Sequence, residues 1–438
     1  MPVDNDRELM IELYDAAVAA ALPGPATARA IDGLPLSRAS RIWLYAFGKA
    51  AAPMANAAAA SLLRPLQIIT GGVVVAPDEV PPPYPTMVSM RGDHPIPGRN
   101  SFAAAAKIGE VTMGRRGNDV AIVLISGGAT AMIGAPLKGM RETDFVSLFE
   151  LLLGSGLDIV SMNAIRKRFS RWGAGRLALA LAPAATYCFA ISDVPDDDLA
   201  VIGSGPCVPD ETRAQDIQSI LQRASLMGRI PQAFRDYLNS VLRGAIPETP
   251  TQMHPAFAHV TAKVIGNTKV AVNGAAQRAR EKGFTVEIAE ERLSGEASRV
   301  GEAIARQLVA ARAAGVEKRC FVWGGETTVT LADSSADVSG GGRCQELALA
   351  SARTLHDAGD GAARISVLAA GTDGRDGATD AAGAVVDAST WDAIIGAGRD
   401  PAHALAVHES HGALRAASAL IGRRETGTNV NDVVIGLV

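Results

Sequence analysis

Cysteine is scarce in this sequence. The 438 residues contain 4 cysteines, and none of them stands at the Cys-x-x-Cys spacing of a metal or redox motif. Disulfide frameworks show a high density of cysteines, and structural zinc sites show them in closely spaced pairs. The sequence therefore argues against both kinds of site.

A surplus of positive charge and a long apolar run are also missing. Lys and Arg number 42 against 46 Asp and Glu, a formal net charge of −4, whereas a nucleic-acid binder needs a basic face. The uncharged stretch 120–137 contains glycines and Pro136, so it fits a buried strand and a glycine loop better than a membrane span. The acidic opening residues do not resemble a signal peptide. We expect a soluble, cytoplasmic protein that binds neither nucleic acid nor membrane.

Common nucleotide-binding and hydrolase motifs are absent as well. The sequence has no GxxxxGK[ST] phosphate loop, because Gly48-Lys49 is followed by Ala50, and it has no GxGxxG dinucleotide fingerprint. It also has no GxSxG motif, which would mark the nucleophile of an α/β-hydrolase. These absences weigh against P-loop NTPases, Rossmann dehydrogenases and α/β-hydrolases.

A repeated succession of segments predicts the fold class. Short apolar or β-branched runs end in loops with Gly or Asp, and alanine-rich helical stretches follow. This pattern predicts an α/β fold of two domains, each with a mainly parallel or mixed sheet flanked by helices. The proline-rich segment 245–260 is the predicted boundary and hinge, which gives domains 1–245 and 246–438. The glycine-rich segment 332–342 fits either a mobile active-site loop or a plain surface loop.

Polar loops follow five of the apolar runs. In open α/β sheets, ligands bind beyond the carboxyl ends of the strands, so these loops are the candidate site. The loop 126–130 has the glycines that let backbone N–H groups approach phosphate oxygens, and a following helix N-terminus would add positive charge. The five loops are 47–49, 126–130, 192–193, 324–327 and 371–374.

Charged residues near these loops indicate the chemistry. The segment 163–176 is dense in Arg and Lys, which in a chain of net charge −4 favours an anionic ligand. Asp193 follows a predicted strand and suits Mg²⁺, while Asp373 and Asp376 suit a metal or a general base. Arg343 follows three glycines and suits a phosphate group. Such an inventory fits phosphoryl transfer, which depends on positioning and charge neutralisation.

Ordered motifs over nearly the whole chain resemble one known family. The sequence is similar to glycerate kinases of the second class, the family that contains the MOFRL domain and whose members are sometimes labelled hydroxypyruvate reductases. The resemblance rests on FGKAAAPMA (47–55), GDHPIPGRNS (92–101), LISGGATAM (124–132), NAIRKRFS (163–170), ISDVPDDDLAVIGSGPCVPD (191–210), GGETTVTL (324–331), GGGRCQELALA (340–350), AAGTDGRDGATDAAGAVVD (369–387) and GTNVND (427–432).

The resemblance implies an activity and a set of site residues. It implies two α/β domains with the active site in a cleft between them, and phosphorylation of D-glycerate to 2-phosphoglycerate with ATP and Mg²⁺. The residues expected to be catalytic are Lys49, Arg343, Asp193 and Asp376, with Asp193 as the metal ligand. The expected ATP- or substrate-binding residues are Ser126, Gly127, Gly128, Thr130, His94, Asn163, Arg166, Lys167, Ser204, Gly205, Asn267, Gly325, Glu326, Thr372, Asp373 and Asn429.

Two departures from the family pattern and two rival functions stay open at this point. Cys344 stands where the family usually has Asn, and Arg168 stands where it usually has His, so we expect an effect on substrate preference. One rival is an NAD(P)H-dependent hydroxypyruvate reductase, which the missing GxGxxG motif disfavours. The other is a non-catalytic sensor of nucleotide or glycerate. A homodimer is a further expectation, drawn from size and enzyme type.

Overall fold

The computed structural model describes residues 3–36, 41–64, 67–315, 318–331 and 340–438, and side chains 3–5 and 195 are excepted. The segment 332–342 that was singled out above therefore lies mostly outside the described residues. Contacts between residues divide the chain into two compact units. The discontinuous unit comprises Met1–Leu22 with Gly266–Val438, and the continuous unit comprises Pro23–Ile265.

The helices begin and end as follows. The α-helices are α1 (Val3–Ala20), α2 (Pro23–Asp32), α3 (Ala51–Leu63), α4 (Arg99–Thr112), α5 (Ala129–Met132), α6 (Glu142–Leu153), α7 (Ile159–Phe169), α8 (Arg176–Leu181), α9 (Ala214–Arg223), α10 (Gln232–Leu242), α11 (Thr268–Glu281), α12 (Ala297–Ala313), α13 (Arg343–Asp357), α14 (Thr390–Gly396), α15 (Pro401–Ala406) and α16 (Ser410–Ala416). Short 3₁₀ helices lie at Pro195–Asp197, Ile202–Ser204, Pro255–His259 and Gly359–Ala362. Among the described residues, none of these helices has the length and apolar character needed to cross a membrane.

The strands belong to two sheets. They are β1 (Arg41–Phe47), β2 (Ile69–Ala76), β3 (Met87–Arg91), β4 (Asp119–Ile125), β5 (Ala185–Ile191), β6 (Val260–Gly266), β7 (Thr285–Ile288), β8 (Arg319–Gly325), β9 (Ser366–Gly371), β10 (Ala381–Asp387), β11 (Leu420–Gly422) and β12 (Asp432–Leu437). Both sheets are flanked by helices, so the predicted α/β class with mainly parallel or mixed sheets is confirmed.

The sheet of the continuous unit has the strand order β3-β2-β1-β4-β5-β6. Strands β1 to β5 pair in parallel. Every residue of the central β4 is buried, as expected for an apolar, β-branched strand with helices on both faces. In this order the chain leaves β1 in one direction and β4 in the other. The crevice beyond their carboxyl ends is therefore the usual ligand position of a doubly wound sheet.

The sheet of the discontinuous unit is mixed and has the order β11-β10-β9-β12-β8-β7. Strand β12 runs antiparallel to both of its neighbours, and Asp432 pairs with Gly325 of β8 and with Gly371 of β9. The carboxyl ends of β8 and β9 therefore meet the amino end of β12 at one edge. This edge carries the polar loops 324–327 and 371–374 that the sequence singled out.

The division into units differs from the predicted boundary at residue 245. Helix α1 packs on α11, and the hydroxyl of Thr428 donates to the carbonyl of Ala21, so the first residues belong with the second half of the chain. The segment 245–260 is also not a linker between the units. Glu248 accepts a hydrogen bond from the Ala214 amide, which ties this segment into the continuous unit, and β6 follows it within the same sheet.

A cluster of aromatic side chains supports helices α6, α7, α9 and α10 of the continuous unit. The rings of Phe169 and Phe234 lie 4.7 Å apart, and those of Phe145 and Phe149 lie 4.9 Å apart. These buried rings form one apolar cluster. Helix α7, which contains the first part of the basic segment 163–176, packs against this cluster.

Candidate active site

The loops after β1 and β4 are hydrogen-bonded into one structure. The Lys49 amide donates to the Gly127 carbonyl at 2.9 Å, and the Ser126 amide donates to the Phe47 carbonyl at 3.0 Å. The Ser126 hydroxyl accepts from the Ala50 amide at 2.9 Å. The predicted residues Lys49, Ser126 and Gly127 are therefore brought together in the crevice between β1 and β4.

Two glycines permit this close approach. Gly48 has a φ of +112°, and a Cβ there would lie 2.4 Å from the carbonyl oxygen of Ser126. A Cβ on Gly127 would lie 2.3 Å from Oδ2 of Asp193. The carboxylate of Asp193, which follows β5, is thus packed directly against the backbone of the loop. A larger residue at position 127 would push this carboxylate away.

His94 and two cations converge beside the same loop. A Cβ on Gly128 would lie 3.1 Å from Cδ2 of His94. Burial lowers the pKa of His94, and the positive charges of Lys49 and Arg166 lower it further. The imidazole is therefore neutral at pH 7, and the surrounding field is positive. This positive field beside the loop suits an anionic ligand.

Thr130, Ser204 and Gly205 complete this side of the site. The Ser204 hydroxyl donates to Oγ1 of Thr130 at 3.0 Å, and both Ser204 and Gly205 have a positive φ. The helix after the loop, α5, spans Ala129–Met132, which is a single turn. The N-terminus of this helix therefore adds less positive charge than expected, because so short a helix carries little of the aligned dipole. The backbone and the side-chain cations remain as the anion-binding groups.

The basic segment 163–176 is used mostly by the protein itself. Lys167 forms a buried ion pair with Asp210 at 2.8 Å, and Arg168 pairs with Glu248 at 2.6 Å. Arg176 donates to four backbone carbonyls at the end of α7, those of Lys167, Arg168, Ser170 and Gly173. Protein carboxylates thus hold Lys167 and Arg168, and the roles expected of them in ligand binding and substrate preference stay predictions. Asn163 accepts a long hydrogen bond from Arg166 at 3.5 Å.

Arg343 contacts two carboxylates at the polar edge of the discontinuous unit. Its Nε and Nη2 bind the carboxylate of Asp432 at 2.6 and 2.9 Å, and its Nη1 lies 3.0 Å from Glu326. Burial acts to lower the pKa of Arg343, but the hydrogen bonds and charge of Asp432 outweigh it and raise the pKa. Arg343 therefore stays charged, and Asp432 fixes its plane.

Asp376, the predicted catalytic base, is buried and hydrogen-bonded to the start of α13. Its side chain is buried, and its oxygens accept from the amides of Cys344 and Gln345 at 3.1 and 2.8 Å and from the Gln345 side chain at 2.9 Å. Burial raises the pKa of Asp376, while these donors act against the rise. The carboxylate satisfies the first turn of α13, which is a capping role. Cys344 is buried beside it.

The other predicted residues of this unit have mainly structural contacts. The Thr372 hydroxyl donates to the Asn431 carbonyl and accepts from the Val430 amide, and the Asn429 side chain accepts from the Asn431 amide. Asp373 accepts from the Arg375 amide. Asn267 caps α11 by accepting from the Val270 amide, and Gly325 ends β8 beside Leu293. They shape the edge on which Arg343 lies.

Two functional contacts were missed by reasoning from the sequence. Asp432, the last residue of the GTNVND motif, is the partner of Arg343, and its position at the start of an apolar strand was the available signal. Tyr14 donates from its hydroxyl to the Gly371 carbonyl at 2.6 Å, and no signal in the sequence marked it. Across the described residues, no group of three or more His, Cys, Asp or Glu side chains is placed to hold a metal ion.

Comparison with known proteins gives consistent results over the full length. A domain of unknown function, DUF4147, matches residues 9–239, and the MOFRL family matches residues 319–432. A D-glycerate 2-kinase of Thermotoga maritima is 33% identical, covering 99% of this chain and 98% of that protein. A protein of Agrobacterium vitis that is provisionally named a hydroxypyruvate reductase is also 33% identical, covering 98% and 93%.

A solved structure supports the same assignment. The crystal structure of a glycerate kinase from Thermotoga maritima superposes with a TM-score of 0.87 at 32% identity, covering 99% of this chain and 100% of that one. The motifs, the two family matches and the shared fold agree. The chain therefore belongs to the glycerate kinase family that is defined by the DUF4147 and MOFRL domains.

Proposed function

We propose that this protein transfers the γ-phosphoryl group of ATP to the 2-hydroxyl of D-glycerate. The observation that carries the proposal is the loop 126–128 in the crevice between β1 and β4, which the Lys49 backbone and the Asp193 carboxylate contact. The positive charges of Lys49 and Arg166 act on His94 beside it. A doubly wound sheet binds its ligands there, and the field is suited to an anionic ligand. The names of the most similar relatives supply the substrate and the position of transfer.

Lys49 of the continuous unit and Arg343 of the discontinuous unit are the cations that we expect to act in catalysis. In phosphoryl transfer, negative charge is spread over the oxygens of the transferred group, and fixed cations stabilise it. Lys49 is held through its backbone to Gly127, and Arg343 is held by Asp432. The 2-hydroxyl oxygen bonds to the γ-phosphorus and gives up its proton to solvent, the bond from that phosphorus to the β,γ-bridging oxygen breaks, and ADP leaves. This scheme does not depend on Asp376 as a base, because charge neutralisation dominates it.

Mg²⁺ fits the residues present, with Asp193 as its protein ligand. Mg²⁺ is commonly held by one or two carboxylates together with substrate phosphates and water, so a cage of several acidic side chains is not required. The carboxylate of Asp193 lies against the Gly127 backbone, beside the loop proposed to hold the phosphates. When bound, Mg²⁺ neutralises charge on the phosphates.

The product distinguishes the possible reactions. Purified protein is incubated with ATP, Mg²⁺ and D-glycerate, and the mixture is split between two coupled assays. One contains enolase and pyruvate kinase without a mutase and detects 2-phosphoglycerate, while the other contains phosphoglycerate kinase and a dehydrogenase and detects 3-phosphoglycerate. We expect signal in the first assay alone. Signal in the second alone would reject transfer to the 2-hydroxyl.

Hydroxypyruvate reduction is the second candidate, because one similar relative bears that name. The loop after β1 is Phe47-Gly48-Lys49 and lacks the glycine fingerprint that holds a dinucleotide pyrophosphate. We therefore expect no oxidation of NADH or NADPH with hydroxypyruvate. A thermal shift gives an independent test, since ATP with Mg²⁺ should raise the melting temperature and NADH should not.

A further inference from the structure

Arg166 is a buried cation with an unused hydrogen-bonding edge. The residue is 7% exposed, and its Nε and Nη2 have no hydrogen-bond partner among the described residues. Its Nη1 donates to Asn163 at the long distance of 3.5 Å, and the guanidinium lies over the ring of Phe149 at 4.8 Å. An unpaired charge in such a position costs stability, so its presence needs an explanation.

The free edge is the one that binds carboxylates elsewhere in this chain. Arg41 uses Nε and Nη2 to bind Asp119 at 2.7 and 2.7 Å. Arg343 uses the same pair of atoms to bind Asp432. This parallel, two-point geometry matches a planar carboxylate and is the strongest arginine–carboxylate arrangement. Arg166 presents the same edge without a carboxylate.

Three neighbouring cations are already held by other groups of the protein. Lys167, Arg168 and Arg176 are all engaged with protein carboxylates or carbonyls, as described above. Arg176 in particular satisfies the end of α7 and so holds the turn from which Arg166 projects. The charge of Arg166 reaches His94, which lies beside Gly128. The positive charge of Arg166 therefore lies near the loop site.

We propose that the Nε–Nη2 edge of Arg166 is the subsite for the carboxylate of the acceptor substrate, and that this edge selects small 2-hydroxy acids over neutral polyols. The inference rests on the proposed function and extends it to substrate recognition. The hydrogen bond from the guanidinium to Asn163 is long, so a small rotation over the Phe149 ring brings the covered edge to the ligand. A neutral acceptor leaves the edge unpaired and is rejected for that reason.

The test compares Arg166→Met with Arg171→Met. Arg171 belongs to the same basic segment but is exposed and contacts Trp172, so its substitution controls for the loss of one local charge. We expect Arg166→Met to raise KM for D-glycerate about 10- to 100-fold while KM for ATP stays unchanged. Arg171→Met should leave both values unchanged. The neutral analogue glyceramide should be a poor substrate of the unaltered protein.

A stability measurement and a binding measurement separate the possible outcomes. Because an unpaired buried cation is removed, the melting temperature of Arg166→Met should stay the same or rise. Calorimetry with D-glycerate alone should show binding to the unaltered protein and none to Arg166→Met, and Arg166→Lys should bind weakly because it keeps the charge without the edge. A normal KM for D-glycerate in Arg166→Met, or an equal rise in Arg171→Met, would overturn the subsite. An unaltered protein that never phosphorylates D-glycerate would instead reject the proposed function.

Discussion

At the scale of single residues, the cations of the segment 163–176 look alike in the sequence and differ in what they meet. Lys167 and Arg168 meet carboxylates, and Arg176 meets carbonyl groups. Arg166 meets an aromatic ring and one distant amide oxygen. The distribution follows from long-range contacts, since Asp210 and Glu248 are far away along the chain. A local charge count therefore identifies the cluster but does not identify the member that faces a ligand.

Lys49→Ala should lower kcat by about 10²- to 10³-fold, as the loss of one fixed electrostatic donor does in other enzymes. The side chain is exposed, so the fold should survive and the melting temperature should change little. Steady-state kinetics with D-glycerate and ATP measure the effect. Lys263→Ala, at an exposed position of β6, is the matched control and should behave like the unaltered protein. Turnover of Lys49→Ala within threefold of normal would remove Lys49 from the mechanism.

Asp432→Asn should weaken both stability and catalysis. Asp432 has a side chain that is 4% exposed, and Arg343 is 36% exposed, so the pair is screened less than a surface pair and more than a fully buried one. We expect the free energy of unfolding to fall by about 1–3 kcal/mol. We also expect kcat to fall at least about tenfold, because the guanidinium loses its orientation.

Urea unfolding and steady-state kinetics measure these two effects. Glu326→Gln removes the single-point contact of Arg343 and should cost less stability than Asp432→Asn. Equal stability losses in the two variants would contradict the positioning role of Asp432.

His94 should make the protein less stable as the pH falls. Its pKa in the folded protein lies below the ordinary value of 6.5, so below that pH the unfolded chain binds more protons than the folded one. The contribution of His94 to the free energy of unfolding is therefore full above pH 6.5 and declines as the pH falls below it. Urea unfolding between pH 7.5 and 5.0 should show a shallower decline for His94→Gln than for the unaltered protein. Equal slopes would show that His94 titrates alike in both states.

At the scale of elements, the site is produced by loops at the carboxyl edges of parallel strands. Strands β1 and β4 are adjacent and parallel, so the residues that follow them, Lys49 and Ser126, meet at one edge. The hydrogen bonds between the two loops are made by backbone groups and one serine hydroxyl. The glycines are needed because the loops and Asp193 leave no space for a side chain.

Gly127→Ala should impair catalysis more than folding. The added methyl group would meet the carboxylate of Asp193, which must move away from the loop. We expect kcat to fall at least about tenfold, since small displacements of catalytic groups have large effects on rate. Gly117→Ala is the control, because a Cβ at that glycine meets no atom within 4 Å. Normal kcat in Gly127→Ala would mean that the position of Asp193 is not critical.

The helices and strands could be predicted from the sequence more readily than the long-range contacts between their residues. Apolar runs that end in Gly, Ser or Asp gave the strands and their functional loops, because alternating βαβ units leave a strong local pattern. The capping of α13 by Asp376 was not predictable, because the two amides that donate to its carboxylate lie 31 and 32 residues away in the sequence. The short length of α5 was also hidden, since the pattern that predicts a helix does not fix where it ends.

At the scale of the whole molecule, the chain builds one of its units from both of its ends. Helix α1 packs on α11 and on strands β9 and β12 of the discontinuous unit. Tyr14 on α1 donates to the carbonyl of Gly371, the first residue of the loop 371–374. The sequence indicated two units but misplaced the boundary, because the attachment of α1 depends on contacts with residues far along the chain. The predicted cleft between the domains stays a prediction.

Tyr14→Phe should lower the free energy of unfolding by about 1 kcal/mol. The substitution removes a buried hydrogen bond, while the Gly371 carbonyl keeps its bond from the Gly374 amide, which limits the loss. Urea unfolding measures the change, and Tyr84→Phe, outside the discontinuous unit, is the control. An unchanged free energy of unfolding in Tyr14→Phe would show that α1 is held by apolar packing alone.

Phosphorus NMR of a reaction with ATP, Mg²⁺ and D-glycerate tests the central claim most directly. The account predicts that the γ-phosphate signal of ATP disappears and that an ester signal split by one proton appears, because the 2-hydroxyl is on a carbon with one hydrogen. Lys49→Ala should leave the ATP spectrum nearly unchanged over the same period. An ester signal split by two protons would place the phosphate on the 3-hydroxyl. Unchanged ATP, or inorganic phosphate alone, would contradict the assignment of this protein as a glycerate 2-kinase.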